Sequence, residues 1–120
     1  MSESILDTTK KMLGLDAEYT AFDTDIIVLI NSALMTLNQL GVGKKETHVI
    51  VSNDSTWEDL IGERTDMEAV KNYVYLKVRL TFDPPSNSFV MDAMQKQCDE
   101  ILWRLNVRAE SEGSEDYGNG

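Results

Sequence analysis

The stretch YVYLKVRLTFDPPSNSF, Tyr73 to Phe89, sets the terms for the whole chain. Its first ten residues suit a helix, two prolines then interrupt it, and a second helix-compatible run follows. Pro84 biases Asp83 away from the α region, and the ring of Pro85 does the same to Pro84. The helix therefore ends near Phe82, and Asp83, Pro84 and Pro85 form a stiff corner from which the next helix departs at a steep angle. Upstream, Met67, Val70, Val74 and Val78 make one apolar stripe, and Ala69, Tyr73, Leu76 and Leu80 make a second beside it. Only Glu68, Asn72, Tyr75 and Arg79 form a polar strip. A surface helix shows a narrower apolar face than this. Either the helix is the centre of a small bundle, or it also packs against a neighbouring subunit.

Working outward, the remaining segments read as further helices. Ser4 with Asp7 and then Gly14 bracket a short helix from Ile5 to Leu13. Asp23 or Thr24 caps a longer one, in which Ile26, Ile30, Ala33, Leu37 and Leu40 recur at helical spacing before Gly41. GVGKKET is a loop, and HVIVS at 48–52 is β-branched enough to be extended. Ser55 with Glu58 caps one or two turns from Thr56 to Ile61, and Thr65 with Glu68 opens the helix from Asp66 to Phe82. Ser86 or Ser88 caps a last helix to Val107, where Met91, Met94, Cys98, Ile101 and Leu105 form a stripe. The expected fold class is mainly α: a small helical bundle of four to five helices with one short extended insertion around residues 46–53. Residues 1–108 form the helical domain and residues 109–120 an acidic C-terminal tail.

Composition narrows the function. The chain has 120 residues and a formal net charge of −10, with a single cysteine and a single histidine. One cysteine excludes an intramolecular disulfide. No apolar run approaches the length of a membrane span, and the polar start MSESILD does not read as a signal peptide, so a cytoplasm-like compartment is expected. The tail AESEGSEDYGNG holds four acids and no base. Nucleic-acid readers cluster Lys and Arg, whereas the adjacent basic pairs here are Lys10-Lys11 and Lys44-Lys45. Sequence-specific DNA binding is not expected.

Catalysis finds little support. His48 lies in the extended segment without a nearby cysteine or paired base, and Cys98 sits on an apolar stripe as a small core residue. Glu63, Asp66 and Glu68 read as solvated or capping residues and lack the spacing of a calcium loop. GVG after a helix is a cap and a turn, not a phosphate cradle. No catalytic, cofactor or metal residue is assigned, and no cofactor is expected. Trp57 and Trp103 fit either of two roles, bundle-core anchor or intersubunit anchor. Tyr73, Tyr75 and Arg79 on the central helix, with Val49, Ile50 and Val51 in the extended segment, complete the candidate subunit and partner contacts.

INSALMTLNQLGVG, STWEDLIGE, AVKNYVYLKVRLTFDPPSNSFV and MQKQCDEILWRLNV together resemble the phage head–tail connector (adaptor) family. The likeness runs from Ile5 to Val107; TWEDLIG and YVYLKVRLTFDPP are its most specific parts, and GKKETHVIVSN departs from it in detail. The resemblance implies a non-enzymatic protein of the virion neck, assembled in the host cytoplasm. It implies a homo-oligomeric ring, usually of twelve copies, docked on the portal protein. Such a ring extends the channel for the leaving DNA and carries the stopper, head-completion or tail protein. A net acidic wall suits such a channel, because it repels phosphates and lets the duplex slide. The C-terminal region of the family lies towards the portal. On that reading Tyr117 anchors the tail, while Glu110, Glu112, Glu115 and Asp116 meet basic portal residues. Composition alone makes the tail a solvated acidic end, disordered in isolation. The alternative to a connector is a helical protein-binding regulatory or scaffold module without catalytic activity.

Overall fold

The computed structural model describes residues 3–43, 49–62 and 64–119, the side chains of 111–119 excepted. Five helices follow one another: α1 Ile5–Met12, α2 Asp23–Gln39, α3 Trp57–Ile61, α4 Met67–Phe82 and α5 Ser88–Asn119. Among the described residues the only β pairing is an isolated antiparallel bridge between Ser4 and Thr56. The fold is a small helical bundle, as the sequence implies.

Both glycine stops follow from backbone chemistry. After α1, Gly14 takes φ 85°, and the Gly14 and Leu15 N–H groups donate to Lys11 O (3.0 Å) and Lys10 O (2.8 Å). After α2, Gly41 takes φ 81°, with Gly41 and Val42 donating to Asn38 O (3.0 Å) and Leu37 O (2.9 Å). These are Schellman closures, in which a left-handed residue satisfies the last carbonyls of the helix. Val42 is fully buried beside the second one.

The helix starts differ in part from expectation. Ser4 caps α1, accepting from Asp7 N–H at 3.2 Å. Asp23 does not cap α2: the capping position is Phe22, without a side-chain bond, and the Asp23 carboxylate pairs instead with Lys10 Nζ at 2.8 Å. Thr56, not Ser55, caps α3, in a reciprocal box with Asp59 rather than Glu58. Asp66 stands at the start of α4 without a capping bond and binds Arg64 and Arg108 instead. Asn87, not Ser86 or Ser88, opens α5: its Oδ1 accepts from Phe89 N–H (2.8 Å) and Val90 N–H (3.2 Å). For α3 and α5 a second capable oxygen stood one residue away from the expected one, whereas α2 and α4 start without a side-chain capping bond.

Helix α4 is the centre of the bundle. It packs against α2 along one side and α5 along another, and α1 closes over α2 and α4. Val70, Tyr73, Val74 and Val78 are fully buried and Leu76 nearly so. Its double stripe is therefore covered within one chain. At the corner, Arg79 Nε donates to Asp83 O at 2.9 Å, which ties the last turn of α4 to the residue before the prolines. The final helix runs past the expected end at Val107 as far as Asn119. Arg104–Glu100 (2.6 Å) and Gln95–Asp99 (3.0 Å), each four residues apart, support its exposed side.

Lys10 is an unusual core member. It is fully buried, and its Nζ reaches Ala17 O and the Asp23 carboxylate, both at 2.8 Å. A buried ammonium is tolerable only with such partners. The contact locks the 13–22 connection between α1 and α2.

Candidate assembly interface

The structure places some of the candidate contact residues inside the chain and others on its surface. Trp57 and Tyr73 are fully buried and Ile50 is 1 % exposed. All three are interior residues of a single chain. Burial pushes the Tyr73 phenol up to about 12, with Cys98 and Asp99 acting in the same direction. Burial likewise raises the Cys98 thiol above its ordinary value. Tyr75 and Arg79 bond each other, the guanidinium donating to the phenol oxygen at 3.2 Å, and both are half-buried. His48 and the rest of 46–48 lie outside the described residues.

The segment after the second loop is held by one side chain. Asn31 of α2 accepts from Ile50 N–H at 2.8 Å and donates to Ile50 C=O at 2.9 Å. The carboxamide thus does for one residue what a neighbouring strand would do. With Ile50 facing the core, Val49 and Val51 face outward, 50 % and 82 % exposed. The backbone of Ile50, a candidate subunit or partner contact, is thus paired by a residue of the same chain. Sequence reasoning did not find Asn31. Its signal was a carboxamide on the flank of an otherwise apolar helix, nineteen residues from its target.

Other apolar side chains also point outward. On α2, Val28 and Met35 are exposed one turn before and one turn after Asn31; on α5, Phe89, Trp103 and Val107 are exposed. Trp103 is therefore a surface residue and not a core anchor of the single chain. Met91, expected on the buried stripe, is exposed, whereas Cys98 and Leu105 on the same stripe are buried. Residues 88–93, the first turns of α5, are exposed throughout. Near the corner, Phe22 lies edge-on between Tyr19 and Phe82, with ring centroids 5.8 and 5.3 Å apart.

At the other end of α4, Asp66 receives Arg64 at 3.0 Å and Arg108 at 3.5 Å, which joins the start of α4 to α5. The Arg64 hydrogen bond is the main cause that holds the Asp66 carboxyl below its ordinary range, and the charges of Arg64 and Arg108 add to it. Among the described residues no group of three or more His, Cys, Asp or Glu is placed to hold a metal ion. No described helix is long and apolar enough to cross a membrane. What the surface does offer is uncovered apolar side chains on two different helices.

The family model described as phage connector protein matches residues 5–112. The chain belongs to the phage connector family. Neither the curated proteins nor the solved structures compared with it gave a match. The matched span takes in all of α1 to α4, the corner and most of α5, so the whole described bundle is connector. Membership carries a structural role in the phage particle and implies contact with the portal and other phage proteins. In a connector, the outward apolar residues are candidate contacts with those neighbours. Glu110 is exposed on α5. The side chains of Glu112, Glu115, Asp116 and Tyr117 lie outside the described residues.

Proposed function

We propose that this chain is the repeating subunit of a head–tail connector ring, non-catalytic and built of twelve copies. The ring docks on the portal, extends the DNA channel and gives the stopper or tail protein its platform. It works in the neck of the virion, after assembly in the host cytoplasm. The observation that carries this reading is the family match over residues 5–112. Two features agree with it. Exposed apolar side chains on both α2 and α5 supply surface for neighbours. A net charge of −10 suits a channel wall that does not hold DNA.

The acidic end of α5 is proposed as the portal-facing part, with Glu110, Glu112, Glu115, Asp116 and Tyr117 meeting basic portal residues. Cosedimentation with rings of the portal protein from the same phage tests the assignment. The chain should pellet with portal rings and not with duplex DNA alone, and more weakly at raised salt. Removing residues 109–120 should weaken pelleting while leaving the helical circular-dichroism spectrum in place. A chain that ignores the portal, or that pellets with DNA in its absence, is not a connector of this kind.

A further inference from the structure

Lys10 grips the chain at two points. Its Nζ donates to Ala17 O, midway along the connection between α1 and α2, and meets the carboxylate of Asp23, the first residue of α2, both at 2.8 Å. The connection is otherwise a surface feature, since residues 16–22 are all exposed. Two turns, Tyr19 N–H to Asp16 O (3.1 Å) and Asp23 N–H to Thr20 O (3.2 Å), shape it without fixing it to the bundle. Leu13 and Leu15, both half-buried, pack its first residues on the core. Beyond them, the buried ammonium is the inner anchor of the connection.

The outer anchor is aromatic. Phe22, one residue before Asp23, lies edge-on to Phe82, with Tyr19 edge-on to it in turn. Phe82 is the last residue of α4, and Asp83 after it leads into the prolines. From Asp83 to Ala93 the chain is exposed, except for half-buried Pro85. Burial resumes at Met94 and is nearly complete at Cys98. This exposed arch therefore depends on what holds the last turn of α4. Arg79 holds it from within the helix, accepting from Asp83 N–H at 3.0 Å and donating to Asp83 O at 2.9 Å. Phe22 holds it from outside.

We propose that residues 13–22 are a strap, latched by Lys10, through which the seating of α1 holds the end of α4 and steadies the arch at 83–93. Phe22 and Asp23 are adjacent, so moving the carboxylate off the ammonium moves the ring off Phe82. The part played by the ion pair is positional. An apolar pair of similar size can match the stability of a buried ion pair, but it cannot bond Ala17 O. Coupling of this kind runs through a short contiguous chain of contacts, from Lys10 to Asp23, Phe22, Phe82 and Asp83. The device belongs to the free chain and does not rest on the connector reading.

Amide hydrogen exchange, read residue by residue on the full chain by NMR, tests it. The variants are Lys10→Met, Phe22→Ala and the two combined. Val74 and Val78, buried in the middle of α4, serve as reference amides. Lys10→Met should speed exchange along 13–23 and also at Phe82 and Asp83, there by about twofold to tenfold over the reference, the size of one edge-on ring contact. Phe22→Ala should speed Phe82 and Asp83 by a similar factor. Adding Lys10→Met to Phe22→Ala should change those two amides no further, because both substitutions cut one route. If Lys10→Met frees the strap and leaves Phe82 and Asp83 unchanged, the latch is only local and the proposal is overturned. Equal acceleration at Val74 and Val78 would overturn it too, since Lys10 would then support the whole fold alike. Independent, additive effects in the combined variant would do the same. Should Lys10→Met fail to fold, Asp23→Asn cuts the same latch at a side chain 25 % exposed, with the same expectations.

Discussion

Replacing Asn31 with Ala should destabilise the protein far more than a half-exposed helical position normally would. The substitution removes both hydrogen bonds to Ile50, at 2.8 and 2.9 Å, and gives the helix a residue of higher propensity. Ile50 is 1 % exposed, so its N–H and C=O lose their partners where water has poor access. Leaving a buried polar group unpaired costs about 1–3 kcal/mol each. Allowing for some water entry and the better propensity, the net loss is about 2–4 kcal/mol. With a urea m-value of about 1–3 kcal/mol/M, the unfolding midpoint falls by about 1–2 M. Asn31→Asp separates the two bonds, because a carboxylate still accepts from Ile50 N–H but has no donor for the carbonyl. Hydrogen exchange supplies the local readout: Ile50 should be protected in the free wild-type protein and fast in Asn31→Ala, with Val49 and Val51 fast in both. A midpoint shift under about 0.3 M together with unchanged Ile50 protection would refute the reasoning.

Three further outcomes are expected. The phenol of Tyr73 has a folded-state pKa of about 12 against an ordinary 10.0, so it stabilises the fold fully below pH 10. That contribution is lost as pH rises through 10 to 12, by roughly 2–3 kcal/mol, and equilibrium unfolding across this window should show it. The sign is opposite for Asp66, whose depressed pKa gives stability present above its unfolded value of 3.8 and lost as pH falls below it; Asp66→Asn should flatten the acid limb of the stability curve. Cys98, buried and with its thiol pushed up, should resist thiol reagents until the protein unfolds, so its labelling rate should track denaturant and not reagent access.

Local chemistry was legible in the residues; partners distant along the chain were not. The glycine closures at Gly14 and Gly41 and the proline corner at Asp83–Pro85 depend on one or two residues, and they stand where the sequence puts them. The capping residues were less secure, because Ser55 and Thr56 offer nearly equal oxygens and only the bridge from Ser4 to Thr56 separates them. The width of the apolar face on α4 was readable, and so were its two explanations. What covers the face was not, because burial of Tyr73 depends on how α2, α4 and α5 meet. Trp103 shows the converse, since its place on an amphipathic helix does not reveal where the bundle ends. Lys10 and Asn31 were missed for a related reason. Each looks like an ordinary polar residue on its helix, and its role appears only when Asp23 or Ile50 is brought beside it.

The most direct test of the account is electron microscopy of this protein bound to its own portal. The account predicts a closed ring of many copies coaxial with the portal channel. A single copy per portal, or portal rings left bare at saturating protein, would contradict it.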